Sequence, residues 1–267
     1  MKRMLEQVWS PQRRNRRPVD VYLPPSYDVS RTQRYPVVYM QDGQNLSDPA
    51  TAFAGTWDLE PTLERLAARG LEVIAVGVHH SGEERLIEYS PFADRRHGGG
   101  GADAYADFLV DTLKPRIDRT FRTRPDREAT AILGSSMGGL LSLYAYFRSP
   151  TFGRAGAMSP SLWFGRDALF DFIGRAGAPV GRVYIDVGTQ EGAGTVRDAR
   201  NLGRLLVKNG FARDRRRRRV RAPYDGLNRR ARAGEKPRLR YLEETGGRHN
   251  EAAWARRLGE ALAYLFE

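Results

Sequence analysis

The stretch AILGSSMGGLLSLYA, Ala131 to Ala145, decides the reading of this chain. Its first residues belong to a short apolar run, ATAILGSS, of the length and character of a buried strand. Beyond Ser136 the pattern changes, and MGGLLSLYAYFRSP reads as a helix ended at Pro150. The junction is Gly134-Ser135-Ser136-Met137-Gly138, a G-x-S-x-G with one frame, because Leu133 and Met137 stand where Ser135 would need glycines. A nucleophile in such a turn occupies strained backbone and needs tiny neighbours, which Gly134, Gly138 and Gly139 provide. The helix N-terminus also aims N–H groups at the serine, which favours a developing oxyanion. The bland alternative is a glycine-rich turn without chemistry. The flanking strand and helix favour the nucleophile.

Outward from this turn, β-type runs alternate with helical patterns. YPVVYMQDG and LEVIAVGVHH read as near-continuous apolar strands, as expected where both faces are covered. TWDLEPTLERLAARG reads as a helix, and GGGGADAYADFLVDTLKPRI as another, reaching Pro115. RVYIDVGTQEG and LRYLEETGG are later strands, and NEAAWARRLGEALAYLF is a final amphipathic helix. The alternation predicts an α/β fold, a mostly parallel central sheet with helices on both faces. A single domain spanning residues 1–267 is expected.

One segment departs from this pattern. The chain has 267 residues, with 44 Lys+Arg against 32 Asp+Glu, a formal net charge of +12. Between Arg213 and Arg240 stand 13 of those basic and 3 of those acidic residues, leaving 31 and 29 elsewhere. The basicity therefore belongs to a loop insertion at about 213–237, and not to the fold. The chain has no cysteine, which excludes disulfides, thiolate metal sites and cysteine nucleophiles. No apolar run approaches 18 residues and the N-terminus does not resemble a signal peptide, so no membrane association is expected and the cytoplasm is the default compartment.

A serine nucleophile needs a base. Of the four histidines, only His249 follows Ser136, and the order serine, acid, histidine is that of an α/β-hydrolase. His79 and His80 are adjacent at a strand end, where their side chains point to opposite faces and make a poor metal chelate. His97, beside four glycines, reads as exposed. The acid must follow the strand RVYIDVG. Glu191 lies in the loop past its carboxyl end, Asp186 lies inside the strand, and Asp198 is already in the next helix, so Glu191 is the choice. An oxyanion hole needs the N–H of Met137 and one from the early loop after YPVVYMQDG, where Gly43 lets the backbone turn and Gln44 supplies the N–H.

These residues, with YPVVYMQDGQNLSD, EERLIEYSPF, SPSLWF and GGRHNEAAWARRL, resemble the putative-esterase branch of the α/β-hydrolase fold, which includes esterase D, enterochelin esterases and feruloyl esterases. The likeness runs from about Arg17 to the C-terminus. It implies a triad of Ser136, His249 and Glu191 acting on a small-molecule ester, with no cofactor and no metal. It also implies that Trp163, and Trp57 with it, border the pocket; core packing is the competing reading for either. The chain departs from the family pattern at Gln41, where a histidine is common, at Ser47, where an aromatic is usual, and at Glu191, where aspartate is frequent. Two other readings compete with ester hydrolysis. One is acyl transfer on the same fold. The other is an inactive hydrolase fold that binds nucleic acid or an anionic surface through the arginine-rich insertion, against which stands the segment's single aromatic, Tyr224.

Overall fold

The apolar runs of the sequence become the centre of one sheet. The computed structural model describes residues 2–165, 167–214 and 238–267. In chain order the strands are β1 (Lys2–Ser10), β2 (Asn15–Tyr22), β3 (Val37–Gln41), β4 (Ile74–Val78) and a small hairpin, β5 (Ala93–Asp94) with β6 (Gly98–Gly99). They continue with β7 (Thr130–Ser135), β8 (Arg154–Met158), β9 (Arg182–Gly188) and β10 (Leu239–Glu244). Among the described residues, eight of these form a sheet of order β1-β2-β4-β3-β7-β8-β9-β10. From β4 to β10 every neighbour is parallel, and β1 and β2 add antiparallel pairing at one edge.

Helices cover both faces because successive strand residues point to opposite sides. Val37, Tyr39, Ile132 and Ile185 pack into one core, Val38, Met40, Leu133 and Tyr184 into the other. The second core is closed by α1 (Leu59–Ala67) and α8 (Glu251–Phe266). On the first face lie α2 (Arg85–Tyr89), α3 (Ala102–Asp107), α4 (Lys114–Thr120), α5 (Met137–Arg148), α6 (Ala168–Ala176) and α7 (Ala193–Lys208). The parallel sheet covered on both faces is the α/β-hydrolase arrangement expected from the sequence. Among the described residues, no helix is long and apolar enough to cross a membrane.

Two features differ from the expectation. Strand β1 is drawn from the charge-rich start of the chain, which has no clean apolar alternation; pairing along β2 defines it. The helix expected to end at Pro115 continues to Thr120. A π-helical stretch, Phe108–Leu113, joins α3 to α4, and Pro115 falls in the first turn of α4. A proline lacks one amide donor, and a change of helical register immediately before it is a known way to accommodate that loss. Most of the arginine-rich insertion, residues 215–237, on which the competing reading of nucleic-acid or anionic-surface binding rests, lies outside the described residues.

The turn between β7 and α5 is the tightest point of this frame. A Cβ on Gly134 would stand 2.6 Å from the carbonyl carbon and oxygen of Gly138 and 2.9 Å from Gln41 Cγ. A Cβ on Gly138 would meet Gln41 Cβ at 2.9 Å. Because the obstruction is mostly backbone, it cannot swing aside. Gly134→Ala is therefore expected to destabilise the fold by about 1–3 kcal/mol, the usual range for overpacking. Urea unfolding checks this, and an unchanged midpoint would refute it.

Candidate active site

Ser136 connects the last residue of β7 to the first of α5. Its backbone sits at φ 53°, ψ −122°, outside the ordinary regions for a non-glycine residue. The strained turn is held from both sides. The Ser136 N–H donates to Met158 O at 2.9 Å, and its carbonyl accepts from the amides of Gly139 and Leu140, each at 3.1 Å. This conformation lifts the hydroxyl off the carboxyl edge of the sheet at the head of α5. A second serine meets it there. Ser161 donates its amide to Ser136 O at 3.0 Å, and the two hydroxyl oxygens are 3.1 Å apart.

The structure brings His249 and Glu191 to the same place. His249 Nε2 is 2.9 Å from Ser136 Oγ, and His249 Nδ1 is 2.8 Å from Glu191 Oε2. Two loops achieve this by lacing together. Thr189 N donates to Glu244 O and Gln190 N to Gly247 O, each at 2.9 Å, and Arg248 Nε reaches Gln190 Oε1 at 3.0 Å. Their backbones nearly touch, since a Cβ on Gly188 would lie 2.3 Å from Gly247 O. His249 then stands just ahead of α8, whose first turn is capped by Asn250 Oδ1 accepting from Ala253 N at 3.0 Å. The imidazole remains accessible, with 41% of its side-chain surface exposed, while the Glu191 side chain is fully covered.

Burial pushes the Glu191 carboxyl up. Hydrogen bonds from His249, from the Ser159 hydroxyl at 2.6 Å and from the Gly188 amide at 2.7 Å outweigh it and hold the group below the usual carboxylate range. Ser159 is the hub of this support. Its hydroxyl donates to Glu191 and accepts from Trp254 Nε1 and Arg257 Nη2, each at 3.0 Å. Its own backbone is strained, at φ 43°. The Trp254 ring also meets His249 edge to face, with centroids 5.1 Å apart. Asp186 lies inside β9, as its sequence position suggested, and is bonded to Tyr184 Oη at 2.9 Å and Ser159 N at 3.1 Å. Its complete burial pushes its carboxyl up to about 6, against the charge of Arg257. Asp198 is on α7, paired with Arg197.

The early loop differs in detail from the expectation. Asp42, not Gly43, takes the left-handed conformation, at φ 56°. Gly43 is required for space, because a Cβ there would stand 2.6 Å from the Gly77 carbonyl carbon. Among the described residues, neither the Met137 nor the Gln44 N–H is taken by an acceptor. Asp42 is locked by a bidentate pair with Arg85 at 2.7 and 2.9 Å, and α2, which carries Arg85, is anchored by the buried pair Arg17–Glu88. Gln41 fills the space beneath the glycines of the turn and accepts from Tyr105 Oη at 2.7 Å.

The two tryptophans part company. Trp163 is 53% exposed, two residues beyond Ser161, and stacks edge-on against His97 at 5.4 Å. Trp57, expected beside it at the pocket, is 1% exposed. Its amide is tied to Asn45 O at 2.9 Å and its ring packs on Trp254 at 5.8 Å, so burial in the core behind the histidine loop takes it out of the pocket wall. The other histidines are dispersed. His79 bonds Asp20 at 2.9 Å, His80 accepts from Gly82 N, and His97 bonds Asp94 at 2.8 Å.

Sequence reasoning missed Ser159, Ser161 and Arg257. The repeated serines of SPSLWF, at the carboxyl end of a strand next to the turn, were the available signal. Arg257 carried none, because it reads as one more polar position of a helix. It is 6% exposed and faces Asp186, Glu191 and Glu244 at 3.5, 3.6 and 3.6 Å. Its Nε and Nη1 make no hydrogen bond among the described residues, so its positive charge is its main contribution there. Arg257→Met is expected to destabilise the protein by about 3–5 kcal/mol, the range for stranding buried partners of an ion pair. Arg257→Lys is expected to recover part of it, and urea unfolding of both variants checks the difference.

Comparison with known proteins agrees with this architecture. YbbA of Bacillus subtilis is 28% identical over 195 residues, covering 70% of this chain and 72% of its own. The siderophore triacetylfusarinine C esterase of Aspergillus fumigatus is 30% identical over 155 residues, covering 55% of this chain and 51% of its own length. The chain thus spans only about half of that curated esterase. Among solved structures, an IroE-like serine hydrolase from Shewanella oneidensis superposes with a TM-score of 0.73 at 19% identity, covering all of this chain and 80% of that one. The family model described as Putative esterase matches residues 10–265, and the chain belongs to that family.

Proposed function

We propose that this esterase hydrolyses small-molecule carboxylic esters with Ser136 as nucleophile, His249 as general base and Glu191 as the acid that orients it. The observation that carries this reading is the unbroken relay from Ser136 Oγ to His249 Nε2, 2.9 Å, and from His249 Nδ1 to Glu191 Oε2, 2.8 Å. Glu191 fixes the tautomer in which Nδ1 bears the proton and Nε2 is free to accept one. Ser136 Oγ attacks the ester carbonyl as its proton passes to Nε2. The N–H groups of Met137 and Gln44 take the oxyanion, the alcohol leaves with the proton from His249, and water hydrolyses the acyl-enzyme. Trp163, exposed beside the serines, offers an aromatic surface to the substrate, and the siderophore esterase among its relatives makes small ester-linked molecules the class to test first.

Ser136→Ala is expected to lower kcat for a short p-nitrophenyl ester by about 10⁴-fold or more. Retained turnover would refute the nucleophile. A panel of esters varied separately in acyl and alcohol groups then defines the preferred class.

Glu191 also makes a pH prediction. Its folded-state pKa is depressed, so its contribution to stability is present above the unfolded value of about 4.3 and is lost as pH falls through the folded value. The stability gap between wild type and Glu191→Gln is therefore expected to be widest near neutrality and to shrink below about pH 4. Denaturant titrations across that range check it, and a gap that grows on acidification would contradict it. The same variant is expected to reduce kcat by about 10⁴-fold, because an amide no longer enforces the productive tautomer.

A further inference from the structure

We propose that Ser161 is a catalytic residue that acts on the departure of Ser136 Oγ from the acyl-enzyme; the inference rests on Ser136 being the nucleophile. The Ser161 hydroxyl is 3.1 Å from Ser136 Oγ, and Ser161 is 4% exposed. Counting protons gives the direction of this bond. Ser136 Oγ carries one hydrogen, and a reactive serine directs it to His249 Nε2, 2.9 Å away. The hydrogen between the two serines must then come from Ser161, which donates to a lone pair of Ser136 Oγ. The backbone holds this geometry independently of the hydroxyls, through Ser161 N donating to Ser136 O at 3.0 Å.

The strength of that donated bond changes along the reaction. In the free enzyme Ser136 Oγ is a hydroxyl and a fair acceptor. In the acyl-enzyme it is the bridging oxygen of an ester, a poor one. Deacylation restores its basicity. Water attacks the acyl carbon and gives its proton to His249 Nε2. The tetrahedral intermediate then collapses: the C–Oγ bond breaks, its electron pair goes to Ser136 Oγ, and that oxygen takes the proton back from Nε2 as the carboxylic acid leaves. A donor waiting at Ser136 Oγ stabilises the charge that builds on it in this step. In acylation the same bond is already present before attack, so the gain there is smaller. Ser161 therefore favours release of the acyl group more than its capture, whereas the oxyanion donors serve both steps alike.

The consequence is a specific kinetic pattern. Removing a hydrogen bond to a group that gains charge slows a step by about tenfold or more. In Ser161→Ala, kcat and KM for a p-nitrophenyl ester are expected to fall together by that factor. kcat/KM, which reports acylation, is expected to change by less than about threefold. The stoichiometric burst of p-nitrophenol should sharpen, and intact-mass spectrometry of quenched samples should show Ser136 acylated at steady state. Ser161→Thr, which keeps a hydroxyl, is expected to return kcat toward wild type, and Ser161→Cys, a weak donor, to fall between. A fall in kcat/KM without acyl-enzyme accumulation would mean that Ser161 only props the turn, and would overturn the proposal. So would wild-type constants in Ser161→Ala. If that variant does not fold, the order Thr, Cys in kcat with constant kcat/KM decides the matter, and equal kcat for the two overturns it. Wild-type turnover in Ser136→Ala would instead sink the nucleophile assignment itself, and the two failures are told apart by that variant.

Discussion

Backbone approaching backbone more closely than a side chain allows is the constraint on which this structure turns. Besides the approach of Gly43 to Gly77, it operates at two places on the carboxyl edge of the sheet that bear directly on Ser136, Glu191 and His249. At the first, β7 reverses into α5 through a single strained residue, and Gly134 lies against Gly138 at a distance no Cβ would tolerate. At the second, Gly188 at the end of β9 lies against Gly247 in the loop after β10. The first contact raises the Ser136 hydroxyl above the sheet. The second draws the Glu191 and His249 loops into one laced unit. Neither loop makes the site alone, and the parallel order β7-β8-β9-β10 delivers them to the same edge.

Buried charge is then arranged to keep two neighbouring carboxyls different. Asp186 and Glu191 both face Arg257, yet burial drives Asp186 up to about 6 while Glu191 stays below the ordinary range. The distinction lies in their donors. Glu191 receives bonds from an imidazole, a hydroxyl and a backbone amide, whereas Asp186 has a tyrosine hydroxyl and one amide against complete desolvation. Three donors, one of them able to carry a charge, keep an anion stable beneath an exposed imidazole. Ser159 links the two environments, which gives a physical reason for a non-glycine residue to hold a positive φ there.

Much of this was legible in the sequence, for identifiable reasons. The strand-to-helix turn at Ser136 announces itself through local residue types, and alternating apolar runs carry the sheet and its two covered faces. His249 follows from chain order and Glu191 from its place past a strand end, and these two side chains do lie within hydrogen-bonding distance of each other and, through His249, of Ser136. What escaped was non-local. Ser159 and Arg257 meet across nearly a hundred residues of chain, so no window of sequence reveals their contact. Trp57 failed for the converse reason: proximity to the early loop in sequence says nothing about which side of that loop a ring will occupy. Pro115 stopped a helix on paper because a proline removes a donor, whereas the chain changed register before it and continued.

The described residues that flank the arginine-rich segment in sequence form a narrow gate. On its near side Asp214 N donates to Leu239 O at 2.7 Å, and on its far side Arg238 N donates to Ala212 O at 2.7 Å, while Arg240 pairs with Asp214. Arg238 reaches back to the carbonyls of Pro179 and Gly181. The two ends of the segment are thus tied to each other and to the body before any residue of it is considered. Closing a loop between fixed ends depends only logarithmically on its length, so trimming it several-fold shifts the closure free energy by about 1 kcal/mol. The gate therefore works as a socket. By this measure the length of chain between α7 and β10 weighs little on the closure free energy, while the ties among Ala212, Asp214, Arg238 and Leu239 hold the start of the strand that leads to His249.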